Sequence, residues 1–442
     1  MTPTTVTTGP RPRRRRTLMG LTGLAAVGAL LLAGVPSGAA YTDEAFTRSE
    51  QITANIPRTF GGGGSTSARV IESGTALGND GNAYIWGRTD LTMAGNNRGG
   101  TRQPVTKVSG LPEGKIVSFA GGRLNFNALD TDGYVWGWGS QPLNDGTGVS
   151  RPDGRPERVR IQTNWNGGGA LLDQVTAIAH SSQAGAAIRR DGSVWAWGKR
   201  AFGGLSDRGA SRVPGLPDPA APGGGNMPVA VTAGYENLWV MLANGEIYYW
   251  GEAGSTAYQE YDSPNGASLS KSMAPWFKGN VAPGAGYIVD IRGGIDMGAA
   301  LLSDGRLLTW GGATDRIGRP TNGQHTRRPA VVPGISDIVN VTHSFTGWMA
   351  MDSKGDVYGF GSHVNYEILP ENRPALIARS VNTIFHGQRH IIWRGDDGLF
   401  RGSGRNQYGE IGAPYGTGPA GSAGSALRVI SPSLGLDALV TP

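Results

Sequence analysis

Apolar and polar positions alternate along this chain in short runs that Gly, Asp and Asn interrupt, and one run recurs. The pairs Ala76-Leu77, Ala128-Leu129, Ala187-Ile188, Ala300-Leu301 and Ala350-Met351 stand at one fixed offset ahead of Gly81, Gly133, Gly192, Gly305 and Gly355. Those glycines close the pairs Asp80-Gly81, Asp132-Gly133, Asp191-Gly192, Asp304-Gly305 and Lys354-Gly355, and Asn244-Gly245 and Asp397-Gly398 complete seven copies. Six residues beyond each comes another glycine, at 87, 139, 198, 251, 311, 361 and 404, preceded by Trp86, Trp138, Trp197, Trp250, Trp310, Phe360 and Ser403. An apolar run, an Asp-Gly pair and a second apolar run predict a β-hairpin with a tight two-residue turn. The outgoing strand passes through Val135, Val194, Ile247, Leu307 or Val357 to the aromatic. Single hairpins are marginal in water, so seven of them require mutual burial, which large aromatics at one fixed place supply.

Successive turn glycines are 52, 59, 53, 60, 50 and 43 residues apart. That suits a four-stranded blade with loops, a little longer than the roughly 40–45 residues of a WD40 blade. Near the C-terminus, Gly387-Gln388-Arg389-His390 precedes Asp397-Gly398, and Asn406-Gln407-Tyr408-Gly409-Glu410-Ile411-Gly412 follows. This GxxH, DG and NxxGxxG order resembles the repeat of the regulator of chromosome condensation (alpha-tubulin suppressor-like) family. Gly122, Gly234 and Gly294 match Gly387, but only the last unit has both the His and the full exit motif. The resemblance implies an all-β fold, a single seven-bladed β-propeller over residues 67–442. Strand segments such as Lys115-Ile116-Val117-Ser118 and Asp337-Ile338-Val339-Asn340 precede the hairpins, whereas the first unit lacks one. The expectation is that Leu436 to Val440 pairs beside Ala76 and Leu77, so that N- and C-terminal segments share one blade and no edge is left open.

Glycine, at 73 residues, far exceeds the ordinary usage of about 7%. With 12 Trp, 13 Tyr and 10 Phe the chain is not disordered, so the glycines mean many turns around an aromatic core. The formal charge of +6 misleads, because residues 1–40 carry Arg11, Arg13, Arg14, Arg15 and Arg16 and no acid. Removing those five from 40 Lys and Arg leaves 35 against 34 Asp and Glu, a net of +1. Charge therefore predicts no nucleic-acid binding. The same segment reads as an export signal: Arg15-Arg16, an uncharged apolar run from Leu18 to Val35, then Ser37-Gly38-Ala39-Ala40. The run is long enough to cross a bilayer, so an uncleaved anchor is the alternative, and Arg15-Arg16-Thr17-Leu18 leaves the export route open between general and twin-arginine pathways. Residues 41–66, with Gly61 to Gly64, read as a flexible linker. Cysteine is absent, which excludes thiolate metal sites and cysteine nucleophiles.

No catalytic residues, metal ligands or cofactor site are assigned. Asp130-Thr131-Asp132-Gly133 has a fragment of calcium-loop spacing but no closing glutamate, and reads as a turn. His180, His343 and His386 occupy equivalent places in three units and read as packed side chains, and His386 and His390 are poorly placed to chelate. Gly416 to Gly421 matches a dinucleotide string with no helix after it. Aromatics outside the repeat register are the candidate binding residues: Trp165 in one insertion, and Tyr258, Tyr261, Trp276 and Phe277 between Ser255 and Pro283. Covering the propeller rim is their other reading. The chain is thus expected to be a secreted or cell-surface recognition module, not an enzyme, presenting loops to a protein or a cell-envelope glycan. Membrane contact is expected only during export or through the anchor. The resemblance adds a protein inhibitor as one version, since secreted members of that family include a β-lactamase inhibitor. A hydrolase or lyase using channel-facing residues, or a surface structural protein, are the competing classes.

The mature protein is expected to begin near Tyr41 outside the cytoplasmic membrane. N-terminal sequencing checks this, and finding Met1 or Arg13 on the exported chain supports the anchor instead.

Overall fold

The computed structural model describes residues 59–61 and 73–429; outside it, besides shorter gaps, lie 90–99, 140–153, 163–168, 199–208, 252–287, 312–315, 321–325, 362–371 and 405–423. The described strands form seven antiparallel sheets in which strand order follows the chain. The second sheet, for example, runs Ile116–Gly121, Asn125–Asp130, Val135–Gly139 and Glu157–Arg158. Six sheets have four described strands; the fourth has three, Pro228–Ala233, Asn237–Leu242 and Ile247–Gly251. The first strand of each sheet lies against the first strand of the next, and Val381–His386 of the seventh lies against Thr59–Gly61 of the first. This is the all-β propeller that the repeats predict.

The closure differs from expectation. Thr59–Gly61 takes the edge of Ser73–Leu77 that Leu436 to Val440 was expected to fill, with Thr59 opposite Leu77 and Phe60 opposite Ala76. Leu436 to Val440 lie outside the described residues. Thr and Phe are good strand formers, and pairing them with residues a short way downstream closes a far smaller loop than pairing with the C-terminus. The segment read wholly as linker thus holds a strand.

The second strand of each sheet carries the core. Asn125–Asp130, Asn237–Leu242, Met297–Leu302 and Gly347–Asp352 are buried along their whole length. They are covered on both faces by neighbouring sheets, which is why Ala is followed by Leu or Met rather than by a polar residue. The apolar clusters each join two consecutive sheets, and the aromatic ending the third strand faces the sheet before it. Trp138 packs with Leu77 and Ile85, Trp197 with Leu129 and Val135, and Phe360 with Leu301 and Leu307. Room for the indoles comes from the strand opposite. Gly185 pairs with Trp197 and Gly298 with Trp310, and a β-carbon on either glycine would lie 2.4 Å from the ring.

The hairpin turns are one residue longer than the sequence predicts. In the second sheet the Gly133 N–H donates to the Asp130 carbonyl at 3.0 Å, and the Asp130 N–H donates to the Tyr134 carbonyl at 3.0 Å. Gly133 alone of the turn residues has a left-handed backbone, φ 82°. This is a three-residue loop, a right-handed turn followed by a left-handed glycine, rather than a two-residue turn. The same bonds recur at Gly81, Gly192, Gly305, Gly355 and Gly398. Asp130 is consumed by the turn: Oδ1 accepts the N–H groups of Asp132 and Tyr134 at 3.0 and 2.9 Å, and Oδ2 accepts Trp136 Nε1–H at 2.8 Å.

Each of four such glycines also ties its sheet to the next. The carbonyls of Gly81, Gly133, Gly305 and Gly355 accept the N–H of Ile116, Val175, Ile338 and Val381, each the first residue of the following sheet, at 2.9–3.0 Å. The residue before that N–H turns its own carbonyl onward: Gln174, Asp337 and Ser380 accept from Arg190, Ser353 and Asp396 in the turns of their own sheets. These three adopt φ of 54°, 57° and 53°, a conformation that disfavours side chains, whereas Lys115 accepts from Thr131 in the same way without it.

Gly305→Ala is expected to cost roughly 1–3 kcal/mol, because a β-carbon there would meet Asp337 Cα at 2.7 Å on a backbone of φ 82°. Asp337→Gly, which relaxes the other half of the contact, is expected to be neutral or stabilising. Thermal melts of both variants test the contact, and a Gly305→Ala protein melting like wild type refutes it.

Candidate functional site

Trp165, Tyr258, Tyr261, Trp276 and Phe277 all lie outside the described residues. The insertion carrying the last four leaves from Gly251, at the end of the fourth sheet, and rejoins at Ile288, where the fifth begins. Three described histidines, His180, His343 and His390, belong to the packing. His180 is buried with Nδ1 2.5 Å from the Ser181 carbonyl oxygen, and desolvation pushes it down to about 4. The His343 ring lies 5.2 Å from that of Trp348. His390 opens the second strand of the seventh sheet, and burial pushes it down to about 3.

The described residues meet in an open cleft of about 340 Å³ between the sixth and seventh sheets. One wall is Ile377 and Ala378, at the end of the sixth sheet's outer strand, with Arg379 and Ser380 of the link; the other is Trp393, Gly395 to Asp397, and Arg401. Trp393 forms the buried floor, packed with Met349, Met351 and Val357 of the sixth sheet. Arg401 Nη1 donates to Asp397 Oδ1 at 3.0 Å and Nη2 to Oδ2 at 2.6 Å. The Leu399 N–H donates to Asp397 Oδ1 at 3.0 Å, so backbone and guanidinium together hold the carboxylate in place. Arg401, and then that N–H, push the Asp397 carboxyl down to about 2, and the pairing raises Arg401 in turn. At the mouth Arg379, 74% exposed, stands 3.9 Å from Asp356.

No protein-family model matches the chain. Over 332 residues it is 27% identical to Protein pim1 of Schizosaccharomyces pombe, an alignment covering 66% of this chain and 58% of pim1. It is 23% identical over 366 residues to the ultraviolet-B receptor UVR8 of Arabidopsis thaliana, covering 75% of this chain and 78% of UVR8. Its fold matches that of yeast RCC1 (Prp20) in a crystal structure with Kap60, with a TM-score of 0.56, 17% identity, and coverage of 79% and 83%. Its repeats resemble those of the RCC1 family. It spans less than two thirds of pim1's own length.

Aligned on their turn glycines, the RCC1-like repeats show why the cleft lies where it does. Three residues past that glycine stand Tyr84, Trp136, Trp195, Tyr248, Leu308 and Tyr358, and then Arg401. From the second sheet to the sixth, each of these side chains packs against the sheet before it. Two residues further, Ser403 replaces the usual Trp or Phe. In exchange Trp393 fills the position that is Ala76, Ala128, Ala187, Val240, Ala300 and Ala350 elsewhere. Bulk has moved from the third strand to the second, and the space beside Arg401 is left open. Sequence reading missed this position, although alignment of the repeats displays it.

A buried neutral histidine stabilises the fold fully above its unfolded value near 6.5 and less as pH falls below it, since only the unfolded chain takes up the proton. With His180 at about 4 and His390 at about 3, the loss begins near the ordinary histidine value of 6.5 and continues to those values. His390→Asn installs the residue found at the equivalent positions Asn125 and Asn237. It is expected to flatten the dependence between pH 6 and 4 by up to about 1.4 kcal/mol per pH unit. Urea melts across that range check it, and an unchanged slope rules His390 out.

Proposed function

We propose that this RCC1-like chain is an exported binding module that engages a protein partner through its loops and the edge of its seventh sheet. The carrying observation is the cleft at Trp393 and Arg401, an opening at the sheet boundary where the other repeats place a filling side chain. A rigid ring of sheets with an unfilled boundary, rimmed by Arg379, Asp396 and Asp397, suits recognition more than chemistry. Yeast RCC1 has been crystallised bound to Kap60, and Prp20p is described with its binding to Gsp1p and histones. Those are properties of the yeast protein; they support a protein as the partner class here. Described polar groups suited to catalysis are engaged in structure: Asp130 and Asp352 hold turns, and Arg292 is paired with Asp290 at 2.9 Å.

The N-terminal apolar run with small residues after it supports export, and the near-neutral mature charge supports a partner other than nucleic acid. Among the loop aromatics, Pro275-Trp276-Phe277 repeats the order of Pro329-Ala330-Val331 and Pro374-Ala375-Leu376. In those two outer strands the last residue is an exposed apolar side chain, Val331 at 41% and Leu376 at 39%. That pattern supports the reading of Phe277 as a binding residue.

The double variant Trp276→Ala/Phe277→Ala is expected to keep the wild-type melting temperature within a few degrees and to lose at least tenfold in partner capture. Immobilised chain incubated with culture supernatant and cell-wall fractions provides the measurement. A large drop in Tm instead makes these side chains core and removes them from the binding surface.

A further inference from the structure

We propose that the cleft between the sixth and seventh sheets is a socket for one planar aromatic side chain of a polypeptide partner, which deepens the binding reading above and rests on it. The argument begins with the arginine. Both terminal nitrogens of Arg401 are taken by Asp397, so the guanidinium edge is satisfied while its body lines the cleft. An ion pair of this kind offers little net charge to an anion. The planar face of a guanidinium keeps its affinity for an aromatic ring when the edge is engaged elsewhere.

Around Arg401 the cleft is apolar where a ring needs it. Trp393 is the floor, and Ile377 and Ala378 form the facing wall. Its volume, about 340 Å³, falls at the small end of the roughly 300–1,000 Å³ of ligand pockets. The repeat pattern gives the chemistry of the missing group, because five of the six other repeats put Tyr or Trp at the position of Arg401. The molecule also shows how such a ring and an arginine combine. Arg158 lies 4.3 Å from the centre of the Tyr134 ring and 5.1 Å from that of Trp136, and Arg189 lies 5.9 Å from that of Trp195. At the boundary of the sixth and seventh sheets Arg401 stands where those repeats put a ring, and among the described lining residues the one ring is Trp393 at the floor. A partner supplies the missing ring.

The test uses the full chain and end-blocked peptides Gly-Gly-Tyr-Gly-Gly, Gly-Gly-Leu-Gly-Gly and Gly-Gly-Glu-Gly-Gly, with the Trp393 indole N–H and Arg401 Nε–H followed by NMR. The Tyr peptide is expected to shift both signals and to bind at least fivefold more tightly than the Leu or Glu peptide. Arg401→Lys, which keeps the charge and loses the plane, is expected to weaken it at least fivefold. Arg401→Tyr, which restores the filling residue, is expected to abolish binding without lowering Tm. Equal binding of the three peptides, preference for Glu, or Tyr-peptide binding by the Arg401→Tyr chain overturns the socket. The Trp276→Ala/Phe277→Ala chain separates this from the wider reading, since it is expected to bind the Tyr peptide like wild type while failing in partner capture.

Discussion

Four sheet boundaries depend on one repeated hydrogen bond, from the first N–H of a sheet to the carbonyl of the turn glycine in the sheet before it, while the fourth sheet begins with Pro228 and has no such N–H to give. A propeller sheet pairs its strands internally, so nothing in its ladders says where the next sheet must stand. Apolar packing between sheets is strong but tolerant of sliding, because side chains repack. The backbone bond is directional and leaves no such freedom. It links Gly81 to Ile116, Gly133 to Val175, Gly305 to Ile338 and Gly355 to Val381. At three of these links the residue before the donor, Gln174, Asp337 or Ser380, also holds a strained left-handed backbone.

Much of this architecture is legible in the sequence, and particular residues show where legibility ends. The turn glycines and the Trp positions recur in register, so both hairpins and inter-sheet packing can be read directly. The turn length cannot, because Asp-Gly suits a two-residue loop equally well; what decides is the bond from Gly133 back to Asp130. Gln, Asp and Ser share no local preference that announces the left-handed backbone at Gln174, Asp337 and Ser380; only their place against a neighbouring glycine explains it. Thr59–Gly61 lies in a stretch whose glycines read as linker, and its pairing depends on an edge offered from elsewhere. Of the candidate site, the aromatics at Trp165, Tyr258, Tyr261, Trp276 and Phe277 are known from sequence alone. Arg401 is visible in the aligned repeats, but the cleft beside it is not, because its size depends on how Trp393 fills the boundary.

The seventh sheet shows how a repeat protein makes a distinct place without a distinct fold. Trp393 and Ser403 exchange large and small across paired strands, so the boundary remains anchored by a buried indole. Arg401 then departs from the pattern at a position whose neighbours no longer need it. The turn beneath is unaffected, since Asp397 still accepts the Leu399 N–H as Asp80, Asp191 and Asp304 accept the N–H two residues on. A local change of side-chain volume is therefore enough to open a boundary while the backbone relay stays intact.

Closure by Thr59–Gly61 carries a kinetic consequence. Its contact with Val381–His386 joins strands whose nearest ends, residues 61 and 381, are 320 positions apart along the chain. Contacts of such separation are the last to form, because their loop entropy falls due only after the intervening sheets have condensed. An arc whose two end sheets are not yet joined is therefore the expected precursor of the ring. In that arc three residues of one strand wait for the final sheet, and any other chain with a matching edge competes for the vacancy. The speed of ring formation, rather than the strength of the finished ring, governs how long that competition lasts.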